Sequence, residues 1–218
     1  MRRRDFVALL GGTTPFALGL MGHAPMARSH PASFLGEQFQ RLGYVYVPSL
    51  ISESDARSLE ISTRPLPSRR VICGDRTISW AEQEIPENHE LHDFFSSQRV
   101  RGAVAALLNT SSSLRHLTCW VSRYVQNEYI GPHKDRAGTL QIVLSLNGTG
   151  EGHGGALNLL VEGEKIALHF NPGDALFFRA TSITHYTTPV IATAQCPDPI
   201  RVVGVGRYFF DENPADSA

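Results

Sequence analysis

Residues 120–136 read WVSRYVQNEYIGPHKDR, and they decide how the rest of the chain is interpreted. His133 and Asp135 lie two positions apart, and side chains two apart on an extended segment point to the same face. One face therefore carries an imidazole and a carboxylate, which are both metal ligands. A third ligand would complete a facial triad of two histidines and one carboxylate, which suits non-haem Fe(II). His185 is the candidate, although surface polar residues also produce such a pair by chance.

Length and composition favour a single globular domain over residues 31–218. The chain has 218 residues, 42% of them hydrophobic, and no polar linker divides it. A net charge of −1 gives no reason to expect a nucleic-acid partner. The three cysteines are far apart and form no CxxC pair, so they indicate neither a zinc site nor a disulfide framework.

From Leu117 onward the sequence consists of short strands separated by turns such as Asn147-Gly148, Glu162-Gly163 and Pro172-Gly173-Asp174. A helical lead-in followed by many short strands predicts a mainly β protein with N-terminal helices, a jelly roll or sandwich. Residues 68–95 carry no readable pattern. Helices are predicted at 33–41, from Ser52 and at 100–108, and strands at 43–48, 117–125, 139–146, 155–161, 165–170, 175–179, 185–190 and 201–210.

Several further motifs follow the His133–Asp135 pair in a fixed order. They are Gly154-Gly155-Ala156-Leu157, Pro172-Gly173-Asp174, His185 with Pro189-Val190, and Arg201, and Arg123-Tyr124 precedes the pair. As an ordered set they resemble the Fe(II)- and 2-oxoglutarate-dependent dioxygenases, especially the prolyl 4-hydroxylase-like and small-molecule hydroxylase branch. The resemblance covers roughly residues 120–210 and is far more specific than its parts.

This resemblance implies a double-stranded β-helix, with the roles of five residues assigned by position. His133, Asp135 and His185 would bind Fe(II), while Arg201 would pair with the distal carboxylate of 2-oxoglutarate. Tyr124 would hydrogen-bond the same carboxylate. A guanidinium can hold a carboxylate through two parallel hydrogen bonds, which fixes both charge and orientation. The implied activity uses dioxygen to hydroxylate an unactivated carbon of a small molecule or amino acid, releasing succinate and CO2.

The position of the co-substrate arginine departs from the family pattern. In the family this residue commonly lies closer behind the distal histidine, whereas here Ile191–Ile200 intervenes, which predicts a longer loop between two strands. Arg207 is the fallback anchor, because residues 201 and 207 share parity on the predicted strand. A rim salt bridge is the simpler interpretation of Arg207.

The sequence allows more than one interpretation of several other residues and of the function. Asp135 favours hydroxylation over halogenation, because related halogenases have Gly or Ala at this position. Trp120 is most simply a core residue, and Gln141 either lines the pocket or fills the barrel. Two alternatives are a non-catalytic jelly-roll binding protein and a cupin-type metal enzyme that needs no 2-oxoglutarate. The latter leaves Arg201 and Tyr124 without a joint role.

Residues 1–30 differ from the rest of the chain. Arg2-Arg3-Arg4-Asp5-Phe6 precedes a moderately apolar run and then small residues, and the pattern from Arg3 to Phe6 resembles a twin-arginine export signal. The run is too short for a stable membrane span. A disordered extension or a misassigned start is the alternative. The segment allows export, whereas supply of the co-substrate favours the cytoplasm.

Overall fold

The computed structural model describes residues 31–73, 78–111, 113–148 and 152–210. The signal-like segment 1–30 lies outside these ranges, so its interpretation stays a prediction. None of the helices in the described ranges is both long enough and apolar enough to cross a membrane. The helices are α1 (Pro31–Leu42), α2 (Glu53–Thr63), α3 (Glu90–Ser96) and α4 (Gln98–Leu108). The strands are β1 (Tyr44–Val47), β2 (Arg69–Cys73), β3 (Ile78–Glu84), β4 (Leu114–Tyr124), β5 (Leu140–Asn147), β6 (Leu157–Val161), β7 (Glu164–Leu168), β8 (Ala175–Phe178), β9 (Thr184–Thr187) and β10 (Arg201–Phe210).

Two antiparallel sheets form the body of the protein. The larger has the strand order β1-β8-β5-β10-β4-β3-β2, and the smaller has the order β7-β6-β9. Neighbours in space are mostly not neighbours in sequence, as expected for a jelly roll rather than a meander. The predicted mainly β fold with N-terminal helices is therefore confirmed.

The large sheet is covered on both faces, which explains why its central strands are apolar without alternation. Seven of the eight residues of β5 are buried, from Leu140 to Leu146. On one face, Phe39, Phe95 and Val104 of the helices pack into a cluster with residues of the sheet. On the other face, a second cluster joins the large sheet to Leu157 and Leu159 of the small one. Burial on both faces makes a strand continuously hydrophobic.

Strand β10 divides its residues between these two faces. Gly204 and Gly206 lie on the helix side, where an added Cβ would come within 3.1 Å of Leu91 and 2.8 Å of Phe95. The two glycines therefore let α3 lie close against the sheet. The alternate residues Arg201, Val203, Val205 and Arg207 face the space between the sheets.

Helix α2 is joined to the large sheet through a partly buried ion pair. Arg123 on β4 donates from Nη1 to Glu60 at 2.7 Å, from Nε to Gln83 at 2.7 Å and from Nη2 to Thr63 at 2.8 Å. Burial alone would raise the pKa of Glu60, but hydrogen bonds from Arg64 and Arg123 outweigh it, so the pKa falls. Arg123 thus faces the helices, away from the neighbouring Tyr124.

Most of the predicted elements are present with shifted ends. Ser52 caps α2 as predicted, accepting a hydrogen bond from the backbone N–H of Asp55 at 3.1 Å. Strand β10 spans 201–210 as predicted, and residues 188–200 form the long connection from β9. Within the region without a readable pattern, the structure contains the hairpin of β2 and β3, as well as α3. Tertiary pairing of β3 with β4 defines that hairpin rather than any local pattern.

The turn Pro172-Gly173-Asp174 allows a stability prediction. Gly173 has φ +90°, and a Cβ there would lie 2.3 Å from the carbonyl oxygen of Ile51. Gly163 has φ +85° with open space around it, so it serves as a control for backbone strain alone. We expect Gly163→Ala to lower the free energy of unfolding by about 1 kcal/mol and Gly173→Ala by roughly 3 kcal/mol or more. Equal losses in urea unfolding would show that the contact with Ile51 contributes nothing.

Candidate active site

Two backbone hydrogen bonds bring the predicted histidines together. The N–H of His133 donates to the carbonyl of His185 at 3.0 Å, and the N–H of His185 donates to that of His133 at 2.9 Å. Residues paired in this way lie directly opposite each other on antiparallel segments. Their ring centroids are 4.2 Å apart. Asp135 is fixed by its own N–H, which donates to the carbonyl of Ala180 at 2.9 Å.

His133, Asp135 and His185 form a cluster with the composition and spacing of a metal site. One ligand atom from each lies within 4.8 Å of the other two. The Nε2 atom of His133 is 3.7 Å from Oδ1 of Asp135, and that of His185 is 3.9 Å from Oδ2. Neither distance is a hydrogen bond, so the three groups face a common point without closing on one another.

Both histidines are held in the tautomer that a metal requires. Nδ1 of His133 lies 2.8 Å from the carbonyl oxygen of Gly131, and Nδ1 of His185 lies 3.0 Å from that of Ile183. A carbonyl can only accept, so each Nδ1 carries the proton and each Nε2 presents a lone pair. Burial lowers the pKa of His185, which keeps its imidazole neutral.

The cluster opens into a cavity of about 330 Å³ between the two sheets. This volume is at the low end of the range for small-molecule sites, roughly 300–1,000 Å³. Apolar and aromatic side chains form about half of the wall, and the rest is polar or charged. The lining includes Trp80, Glu82, Trp120, Tyr124, His133, Asp135, Gln141, His185, Arg201 and Arg207.

Arg201 is a buried cation with no carboxylate beside it. Its relative exposure is 4%, and its Nη1 atom has no hydrogen-bond partner in the described part of the chain. No Asp or Glu of the described residues lies within ion-pair distance of it. Tyr124 is its direct cross-strand neighbour, and the guanidinium lies 5.0 Å from the centre of that ring. Arg201 and Tyr124 are hydrogen-bonded through their side chains. A buried charge without a counter-ion is nevertheless costly, so the arrangement calls for an anion.

Tyr124 supplies a neutral hydroxyl at this end of the cavity. Burial raises the pKa of Tyr124, and the charge of Arg201 acts in the opposite direction. The phenol therefore stays protonated at neutral pH and can donate a hydrogen bond. Burial also lowers the pKa of Arg201, but a guanidinium stays protonated in proteins.

Arg207 lies in the same cavity but in a different part of the site from Arg201. Its Nη2 atom is 2.7 Å from Oδ2 of Asp135, and its Nε donates to Gln141 at 2.9 Å. The ring of Trp120 lies beneath the guanidinium, 4.9 Å from it. The expected rim salt bridge is thus an ion pair inside the cavity, and Trp120 forms part of the cavity wall as well as packing on the core.

One supporting residue could not be recognised from the sequence. Glu128 is 4% exposed and forms a close ion pair with Arg70. It also accepts hydrogen bonds from Ser79 at 3.1 Å and from the N–H of Val125 at 3.0 Å. These contacts tie the hairpin of β2 and β3 to the turn that leads into His133. A lone glutamate in a polar loop gives no sequence pattern that could predict this.

Comparison with known proteins identifies the fold. No protein-family model and no curated protein sequence matches the chain. A prolyl-4-hydroxylase from Pseudomonas putida superposes with a TM-score of 0.67 at 17% identity, covering 83% of this chain and 100% of that one. A 2OG-Fe(II) oxygenase family oxidoreductase from Burkholderia pseudomallei gives 0.67 at 15%, covering 84% and 92%. The epimerase SnoN from nogalamycin biosynthesis gives 0.66 at 15%, covering 82% of each.

The chain therefore has the fold of the Fe(II)- and 2-oxoglutarate-dependent oxygenases. The resemblance drawn from residues 120–210 extends, at the level of fold, to most of the chain.

The unpaired charge of Arg201 gives a stability prediction. Arg201→Met removes a buried cation and keeps an apolar chain of similar length, so we expect it to raise the free energy of unfolding of the ligand-free protein by about 1–2 kcal/mol. Arg123→Met is the contrasting control, because it leaves Glu60 without a main partner and should cost roughly 3 kcal/mol. Chemical denaturation measures both. Destabilisation by Arg201→Met would mean that the cation is already compensated.

Proposed function

We propose that this protein is an Fe(II)- and 2-oxoglutarate-dependent oxygenase. The observation that carries the proposal is a single cavity with a metal-type ligand set at one place and an unpaired buried guanidinium at another. A divalent metal and a dicarboxylate are the two species that these groups need. The fold is the one in which SnoN is described in complex with Fe3+ and alpha ketoglutarate, and HygX with nickel and 2-oxoglutarate.

In this proposal His133, Asp135 and His185 hold the iron. Two neutral imidazoles and one carboxylate fit a 2-His-1-carboxylate site, which leaves coordination positions for a co-substrate and dioxygen. The contacts from Nδ1 to the carbonyls of Gly131 and Ile183 orient both rings before a metal arrives. Such supporting hydrogen bonds raise the basicity of the ligating nitrogen.

Arg201 and Tyr124 would hold the distal carboxylate of 2-oxoglutarate. The guanidinium supplies parallel N–H donors and the phenol a third donor, in a buried place where charge-assisted hydrogen bonds are strong. This joint role favours the 2-oxoglutarate enzyme over a cupin-type oxygenase, which would leave a buried cation without a function. A non-catalytic binding protein would leave the metal ligand set unexplained in the same way.

When bound, iron and 2-oxoglutarate supply the oxidative chemistry that uses dioxygen to functionalise an unactivated carbon and yields succinate and CO2. The chain's own part is to place the reactants and exclude water. Trp80, Trp120 and the apolar residues between the sheets form that water-excluding wall. We propose hydroxylation of a small molecule or amino acid. The carboxylate of Asp135 fills the position that Gly or Ala has in related halogenases.

The direct test is conversion of 2-oxoglutarate to succinate by anaerobically iron-loaded protein after dioxygen is added. We expect succinate from the wild type and none from Asp135→Ala, whose metal affinity should fall by more than the roughly 10- to 100-fold that loss of a supporting partner costs. His169→Ala is the control, because His169 is exposed and outside the cavity. Wild-type protein that binds iron and forms no succinate would contradict the proposal.

A separate measurement addresses the co-substrate anchor. We expect Arg201→Met to weaken metal-dependent binding of 2-oxoglutarate by about 100-fold, the loss expected for a forked charge-assisted contact. Arg201→Lys keeps the positive charge but loses the two parallel N–H donors, so its affinity for 2-oxoglutarate should lie between those of the wild type and Arg201→Met. Calorimetry with Mn(II)-loaded protein gives the affinities without turnover. Unchanged affinity in Arg201→Met would favour the cupin-type alternative or an anchor elsewhere.

A further inference from the structure

Arg207 is a second cation in the cavity, and the proposed co-substrate gives it no partner. We propose that Arg207, with Gln141 and Trp120, forms a subsite for a carboxylate of the organic substrate, so that the substrate is a small monocarboxylic acid. This inference rests on the proposed function, because it assigns the substrate class of that same site.

The guanidinium of Arg207 is held in place before any ligand binds. Gln141 is its direct cross-strand neighbour and accepts from its Nε at 2.9 Å. The ring of Trp120, on the neighbouring strand β4, packs against the guanidinium, with 4.9 Å between its centre and Cζ of Arg207. Gly138 makes room for its aliphatic stem, since a Cβ there would come within 2.7 Å of Cγ. Such preorganisation reduces the entropy lost on binding an anion.

The contact with Asp135 leaves most of the donors of Arg207 uncommitted. Nη2 approaches Oδ2 of Asp135 to 2.7 Å, yet that oxygen has no partner with hydrogen-bond geometry. The ion pair is therefore close but misaligned, unlike a forked arginine–carboxylate pair. A guanidinium has five N–H donors, of which Gln141 takes one.

The formal charges of the loaded site leave room for one further anion. Glu82, the other acidic residue of the lining, is already paired with Arg69 at 2.6 Å. A divalent metal together with Arg201 and Arg207 brings four positive charges, while Asp135 and 2-oxoglutarate bring three negative ones. The loaded site thus carries one excess positive charge, and Arg207 would share its one nearby carboxylate among the described residues, Asp135, with the metal. One substrate carboxylate neutralises the site.

The cavity volume favours a small acid. About 330 Å³ has to accommodate both the co-substrate and the substrate. The aromatic walls of Trp80 and Trp120 favour a molecule with an apolar body next to its carboxylate. A small hydroxy or aliphatic acid fits this description.

The test compares acetate with acetamide, which have nearly the same shape but differ in charge. Co(II)-loaded protein with saturating 2-oxoglutarate is titrated with each probe, following heat and the visible absorption of Co(II). We expect the wild type to bind acetate about tenfold tighter than acetamide, as one charge-assisted hydrogen bond implies. Arg207→Gln should lose this preference, and Arg207→Lys should keep part of it. Arg136→Gln should retain it, because Arg136 is exposed and outside the cavity.

Each other outcome contradicts the inference in a recognisable way. Equal binding of the two probes by the wild type would exclude a carboxylate subsite. If acetate changes the visible absorption of Co(II) and its affinity is the same in Arg207→Gln, the anion binds the metal and not Arg207. If Arg207→Gln cannot bind Co(II), the acetate and acetamide affinities of the wild type decide whether the inference holds. Failure of the wild type to bind 2-oxoglutarate at the start would instead overturn the proposed function.

Discussion

The site depends on the pair of backbone hydrogen bonds between His133 and His185. These two bonds join a loop after β4 to strand β9, although the residues are far apart in the sequence. Because directly opposed residues project to the same side, the bridge places two imidazoles together without any contribution from their side chains. Asp135 follows two positions later and is fixed by a third backbone bond. The geometry of the cluster is therefore set by the main chain.

Strand β10 connects this cluster to the rest of the protein. It lies at the centre of the large sheet, between β4 and β5, so its register determines what each face presents. Toward the helices it carries glycines that allow α3 to approach closely. Toward the cavity it carries Arg201 at its start and Arg207 six residues further along. Six residues along a strand correspond to about 20 Å, so Arg201 and Arg207 serve different parts of one cavity.

Local sequence patterns predict most of the strands of this structure. They do not predict features that depend on contacts between distant parts of the chain. The strands after Leu117 are marked by turn residues, and the cavity-facing parity of Arg201 and Arg207 follows from strand alternation. The hairpin of β2 and β3 has no such marks, since its pairing with β4 is a tertiary contact. Trp120 was expected in the core because composition does not distinguish a core wall from a cavity wall. The ion pair of Arg207 with Asp135 depends on a register that no local pattern contains.

The buried charge of Arg201 links the folding of this protein to the solution around it. A guanidinium that is 4% exposed and has no counter-ion within the described ranges lowers the stability of the empty protein. An anion that binds only the folded chain raises the free energy of unfolding. Once its concentration exceeds the dissociation constant, this gain grows with the logarithm of the ratio of the two. The lifetime of the folded chain would then rise and fall with the supply of that anion, so protein abundance itself would report on the metabolite.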